Sequence, residues 1–486
     1  MRIKPKLKYV IGGAVGAAFS ALAIAGPAFA DENADAIASL SESTNLLWVI
    51  LGAILVIFMQ AGFALVETGF TQKKNAAHVM STNFAIFGLG FVGFLFVGFP
   101  LAFGGFSYAG YFGLDTPMNA EPLIGSGNWA FLWKGWDHLG SSASPALLAF
   151  FLYMVAFMDT VATIPTGSMA ERWKWKSFVI WGLFCGAIYY PIFAAWTWGG
   201  GWLGKTWDTM GLGVGYVDFA GSGVVHAVGG AAALAGAIVL GPRIGKFGPD
   251  GKARAIPGHN IPMAMLGCFI LLFGWFGFNA ASTFASSDIQ FATVAANTAI
   301  AGALGAVIGM YWITFRTGKP DPGMMVNGML AGLVAITAPC AFVSPWAAAL
   351  IGSLAAIIAI EAVFFIEKRG IDDPVGAIAV HGVGGTFGVL CVGLFANGVY
   401  GNGWNLAFEA DGTTPIELKG LLYGGGLGQL GAQALGVLVI WTIIFGIAFG
   451  FFKLQNKFTK GGIRLPAEME IEGADIPEMG VLAYND

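Results

Sequence analysis

The sequence is short of charge. Only 11% of its 486 residues are Asp, Glu, Lys or Arg, less than half the roughly 25% of an ordinary soluble domain. With 56% hydrophobic residues, it has too little polar surface to cover a water-soluble body. Cysteine is also scarce. Cys185, Cys268, Cys340 and Cys391 show no CxxC spacing, which argues against a disulfide framework or a zinc site and for buried thiols. No Lys or Arg falls inside any long apolar run, which argues against a voltage sensor or a core gripping anions with fixed positive charge. The 74 glycines follow no three-residue period, so the chain is not collagenous, and its apolar and aromatic content excludes disorder. Neither a metal cluster nor a nucleophile–base arrangement is visible, so no enzyme, cofactor, metal or nucleic-acid partner is expected. What remains is an all-α polytopic membrane protein.

The first thirty residues read as a signal peptide. Arg2, Lys4, Lys6 and Lys8 form a basic region, an apolar stretch runs from Tyr9 to Ile24, and Ala28-Phe29-Ala30 offers a cleavage site. A short external segment, 31–45, follows. Apolar segments near the 20-residue length of a bilayer crossing then recur at 46–69, 80–104, 144–168, 177–198, 219–241, 261–283, 291–315, 325–343, 345–366, 377–400 and 421–452. These predict eleven helices. Basic residues orient them: 17 lie in the odd-numbered loops and the 453–486 tail, against Lys134, Lys205 and Lys419 in the opposite loops. That asymmetry puts the tail in the cytoplasm and the mature N-terminus outside.

Ionisable residues inside the spans are costly and therefore informative. Glu67 and Glu361 lie near predicted cytoplasmic ends, where capping or loop pairing accounts for them; Asp159 lies deeper and has no evident role. The histidines come with a repeat. Asp218 precedes His226 by eight residues and Asp373 precedes His381 by eight; Val225-His226-Ala227-Val228-Gly229-Gly230 matches Val380-His381-Gly382-Val383-Gly384-Gly385. One copy falls in span five and the other in span ten, so about 46–241 and 261–400 read as two five-helix halves. Five is odd, which makes the repeats inverted and brings both histidines together near the midplane. Two facing imidazoles can share one hydrogen bond, stay neutral, and offer polar contacts to a small molecule without trapping a cation.

In span six, Trp275, Phe278 and Ser282 share one helical face, with Ser282 nearest the outer end. Trp198 closes span four on the same side. An indole face and a hydroxyl at an outer mouth suit a small cation.

These residues resemble the ammonium transporter family (Amt/Mep/Rh), and its Amt branch in particular. The resemblance rests on Asp218-Phe219-Ala220-Gly221 through His226, Gly274 to Asn279, and Asp372-Asp373-Pro374 through His381-Gly382. Ala170-Glu171-Arg172 and Lys74-Asn75 fit as well, in order along residues 45–485. It implies a homotrimer with one pore per subunit in a bacterial inner membrane, and a cytoplasmic PII-type signalling protein as partner of the tail. It also implies roles. Trp198, Ser282, Phe157 and Asp218 would recruit ammonium, with Asp218 ordering the nearby helix. Phe157 and Phe278 would form a gate, and His226 and His381 would line the pore, beside Trp275 and Tyr190. Three departures stand out: Met154 where many members place glutamine, the unusual Asp159 to Thr166 stretch, and Pro477 where plant members carry a phosphorylatable threonine. Glu472-Gly473-Ala474-Asp475 and Ala483-Tyr484 match the regulatory C-terminus.

The function so implied is recruitment of ammonium, its deprotonation near the gate, and passage of ammonia along the histidines. The proton would cross by a separate route, making transport electrogenic. The alternatives are an ammonium sensor with little flux and a neutral-gas channel.

Overall fold

The computed structural model describes residues 33–106, 118, 120–140 and 143–484; the signal peptide read at 1–30 lies outside them. Among the described residues, ten helices are long and apolar enough to cross a membrane: α1 (Asn33–Phe70), α2 (Lys73–Phe103), α3 (Pro145–Met169), α4 (Trp175–Trp196), α5 (Ser222–Leu240), α6 (Ile261–Thr283), α7 (Gln290–Thr317), α9 (Pro345–Lys368), α10 (Ile378–Phe395) and α11 (Gly428–Phe458). Between α7 and α9 lies α8 (Pro322–Ile336), apolar but only 15 residues long.

That short helix corrects the expected eighth span, 325–343. Asp321 caps its start, accepting a hydrogen bond from Met324 N–H at 3.1 Å, and Pro322 occupies the first turn. The apolar run continues beyond Ile336, but the backbone there is an irregular buried segment. Such backbone is tolerated inside a membrane protein only where its polar groups find partners. Here they do. Phe219 and Ala220 N–H donate to the carbonyls of Ala338 and Thr337, Ala338 N–H donates to Ser222 Oγ, and Asn297 Nδ2 donates to the Cys340 and Val343 carbonyls. Hydropathy cannot tell such a segment from helix. The last span also shifts: α11 starts at Gly428 rather than 421.

The first and the last helices of the two sequence halves pair with each other. First packs on first: a Cβ on Gly267 of α6 would sit 2.7 Å from the Gly62 carbonyl of α1, and one on Gly277 would sit 2.8 Å from the Gly52 carbonyl. Last packs on last: a Cβ on Gly230 of α5 would meet the Gly382 backbone of α10 at 2.3 Å. Without hydrophobic drive between helices in lipid, small residues let backbones approach and gain dispersion contacts. The repeated His-x-Val-Gly-Gly is therefore a packing signature as well as a polar one.

The outer surface of this bundle is apolar. Phe84, Phe269, Phe315 and Trp346 are more than 60% exposed, as side chains facing lipid would be. The loop after α2 carries a two-stranded hairpin, β1 (Pro122–Ile124) with β2 (Leu132–Trp133), at the end opposite the C-terminal tail. All four cysteines are buried and unbridged.

Candidate functional site

Two cavities lie along the interior, one on the hairpin side and one on the tail side. The first, of about 270 Å³, has Phe157, Trp198, Ser282 and the 400–405 loop in its wall. The second, of about 20 Å³, is bounded by Phe63, Glu67, Asn327 and His381. Aromatic rings and the histidines separate them.

Asp218 sets the hairpin-side geometry without entering the cavity. Its carboxylate accepts hydrogen bonds from the N–H groups of Gly221, Gly223 and Val224, each at 2.8 Å. Those are orphan donors at the start of α5, whose first turns, Ser222–Ala227, are wound wide and carry His226. Gly221 has φ +117°, a left-handed conformation that admits glycine, and a Cβ there would press the Trp198 ring at 3.2 Å. The Asp218 carbonyl accepts a 2.7 Å hydrogen bond from Trp198 Nε1, which fixes the indole in the cavity wall. Asp373 repeats the cap on α10, accepting from Ala377 and Ile378 N–H at 3.0 and 2.8 Å, and Ile378–Val383 is again wound wide.

Below Trp198 the rings close ranks. Phe157 lies 5.8 Å from the Trp198 ring and stacks on Phe278 at 4.1 Å between centroids, 19° from parallel. His226 follows, 5.4 Å from Phe278 and 5.2 Å from Trp275. The Trp275 indole is itself held by a 2.8 Å hydrogen bond to Thr337 Oγ1 in the irregular segment after α8. His226 Nδ1 then meets His381 Nδ1 at 3.1 Å, one donating and the other accepting. His226 is fully buried and its Nε2 has no partner, whereas His381 borders the tail-side cavity.

The structure thus brings Trp198, Ser282, Phe157, Phe278, Trp275, His226 and His381 into one file. Tyr190 does not join it. Its ring packs 5.8 Å from Phe94 and borders neither cavity. Asp159 is buried with Oδ1 unpartnered and likewise borders neither. Glu361 pairs with Arg316 at 2.9 Å, as loop pairing anticipates. Glu67 corrects that reading: it accepts from Thr166 Oγ1 of α3 at 2.8 Å and Asn83 Nδ2 of α2 at 2.7 Å, inside the bundle.

Sequence reasoning missed Tyr153. Its hydroxyl lies 3.1 Å from Ser282 Oγ and donates to the Gly277 carbonyl at 2.9 Å, so it orients the hydroxyl in the cavity wall. It sits one turn before Phe157, the only signal the sequence offers.

On the tail side, the short motifs converge. Arg243 makes a two-pronged ion pair with Asp372 at 2.8 and 3.0 Å and also meets Glu171. Burial alone would raise the Asp372 carboxyl, but the Arg243 hydrogen bonds and the Arg172 charge outweigh it and hold it at about 2. The tail covers this cluster. Asp475 accepts from Ala77 and His78 N–H at the start of α2, and Glu478 accepts from Trp175 N–H at the start of α4.

The ammonium transporter family model matches residues 47–484. The chain belongs to the ammonium transporter family. It is 42% identical to the ammonium transporter Amt2 of Archaeoglobus fulgidus over 90% of this chain and 88% of that one. It is 34% identical to ammonium transporter 1 member 3 of Solanum lycopersicum, over 92% and 94%. Among solved structures it is similar to a protein titled a sensor Amt protein, with TM-score 0.76 and 36% identity over 91% of this chain and 99% of that one. Mep2 of Candida albicans aligns with TM-score 0.72 and 28% identity, over 90% of each. The chain is accordingly a multi-pass membrane protein of a transporter family and not an enzyme.

Proposed function

We propose that this chain carries ammonium across the membrane, by capturing the cation, removing its proton and passing ammonia along the histidines. The observation that carries the reading is the single file from the Trp198–Ser282 cavity, through the Phe157–Phe278 stack, to the His226–His381 pair. Trp198 and Ser282 offer a ring face and an oxygen to a cation. Past the stacked phenylalanines a bare cation is expensive, and ammonia is not. Potassium has no proton to surrender, so the same step that admits ammonia excludes it. The histidine pair supplies hydrogen bonds without a resident charge. The proton crosses by a separate route, which makes transport electrogenic.

In this reading 1–30 is a cleaved leader, 31–45 lies outside, 46–452 spans a bacterial inner membrane, and the 453–486 tail is cytoplasmic and regulatory. The basic residues concentrated on the tail side support that orientation. Each subunit of a homotrimer contributes its own pore, and a PII-type signalling protein meets the tail. A second reading, an ammonium sensor with little flux, is favoured by the likeness to the sensor Amt protein. Current from proteoliposomes during an ammonium jump separates the two: sustained current supports transport, and binding without current supports the sensor.

A further inference from the structure

The tail-side cavity borders His381 and also holds two polar groups that the file described above leaves unused. Glu67 is 3% exposed, and both its hydrogen-bonding partners, Thr166 and Asn83, are uncharged donors. No Lys or Arg pairs with it among the described residues. Across the cavity stands Asn327, 6% exposed, whose Oδ1 is buried and without a partner. The remaining wall is apolar, including Phe63, Leu271 and Leu330. A cavity of about 20 Å³ has room for one water-sized molecule, since about 10–15 Å³ suffices for a water. Ammonia and ammonium are of that size. A carboxyl lacking a basic partner and an amide oxygen lacking a donor together want a small cation rich in N–H groups.

We propose that Glu67, Asn327 and His381 frame a second ammonium site, at the inner end of the pore, where ammonia regains its proton. This rests on the transport reading above. Ammonia leaving His381 presents its lone pair to the protonated Glu67 carboxyl. An N–H bond forms, the Glu67 O–H bond breaks, and its electron pair stays on the carboxylate oxygen. The resulting ammonium is held by that carboxylate and by Asn327 Oδ1 until it departs to the tail side. The proton that crosses by the separate route reaches that side as hydronium, which gives it to the Glu67 carboxylate and reverts to water. Thr166 and Asn83 hold the carboxyl in position, one from α3 and one from α2.

The test compares wild type, Glu67→Gln, Glu67→Asp and Asn327→Leu in proteoliposomes, with ammonium outside and a series of ammonium concentrations preloaded inside. A positioned proton donor is worth on the order of a hundredfold or more, so Glu67→Gln should lower the maximal ammonium current at least tenfold. The external half-saturating concentration, set at Trp198 and Ser282, should stay within about twofold because the change lies beyond the histidines. Glu67→Asp, which keeps the carboxyl, should recover part of the current. Asn327→Leu should weaken inhibition by internal ammonium about fivefold, the worth of one hydrogen bond. If Glu67→Gln elutes aggregated, Asn327→Leu alone decides. Unchanged maximal current in Glu67→Gln, or unchanged internal inhibition in Asn327→Leu, overturns the site while leaving transport standing. A wild-type protein that carries no current overturns the transport reading and this site with it.

Discussion

Trp198 donates its indole N–H to the carbonyl of Asp218 at 2.7 Å, while the carboxylate of the same Asp218 caps the helix that bears His226. One residue therefore ties the hairpin-side cavity wall to the start of the histidine helix. Removing the carboxylate by Asp218→Ala strands three buried backbone N–H groups. Each unsatisfied donor costs about 1–3 kcal/mol, so the variant should lose at least about 3 kcal/mol and unfold at markedly lower temperature in detergent. Asp218→Asn keeps one acceptor oxygen and should fall between the two. An unchanged melting midpoint in Asp218→Ala would show that the cap does not hold the helix.

On the proposed reading, capture at the hairpin-side cavity is separable from conduction. Trp198→Leu and Ser282→Ala should each raise the half-saturating ammonium concentration by roughly two- to thirtyfold, from cation–π and hydrogen-bond contributions of about 0.5–2 kcal/mol. Maximal current should change less. Tyr153→Phe, which removes the hydroxyl beside Ser282 Oγ, should shift the half-saturating concentration in the same direction by about fivefold, one net hydrogen bond. Concentration dependence that stays put in all three variants rejects the capture site.

Much of this arrangement was legible in the sequence, and the physical reason is symmetry. Asp218 and Asp373 recur eight residues before His226 and His381 because each caps the helix that carries its histidine. Gly230 and Gly385 recur because α5 and α10 cross where a Cβ would strike backbone. Tyr153 and Asn327 were not legible. Tyr153 matters through Ser282, 129 residues away, and Asn327 through a cavity shared with Glu67. Such contacts depend on how α3, α6 and α8 cross, which periodicity within one helix does not encode. The length of α8 failed for another reason: apolar composition reports burial, and the segment after Ile336 is buried without being helical.

The close crossing of α5 and α10 makes its own claim. A Cβ at Gly385 would stand 2.4 Å from the Ser222 carbonyl, and overpacking of this kind costs typically about 1–3 kcal/mol. Gly385→Val should lower thermal stability and also reduce current, because the helices that carry the histidines must move apart. Gly450→Ala, where a Cβ meets nothing within 4 Å, is the control. Equal melting midpoints for the two variants would contradict the crossing.

The tail-side cluster predicts a pH window. Asp372 sits at about 2 in the folded chain, against about 3.9 when unfolded. A depressed carboxyl contributes stability that is fully present above its unfolded value and lost as pH falls toward the folded one. The difference of nearly two units is worth roughly 2–3 kcal/mol. Asp372→Asn should therefore melt below wild type at pH 7, and the gap should narrow between about pH 4 and pH 2. A gap independent of pH would mean that the Arg243–Asp372 pair is not its source.

The central claim is that His226 and His381 keep the pore polar yet uncharged, so that ammonia passes and potassium does not. Its most direct test is current from proteoliposomes after separate ammonium and potassium jumps, in wild type, His226→Asp and His381→Asp. Wild type should respond to ammonium alone. Each aspartate variant places a carboxylate where the neutral pair stood, which can stabilise a hydrated cation, and should begin to pass potassium. If both variants retain full ammonium current and exclude potassium as wild type does, the histidines only pack the helices together, and the account is wrong.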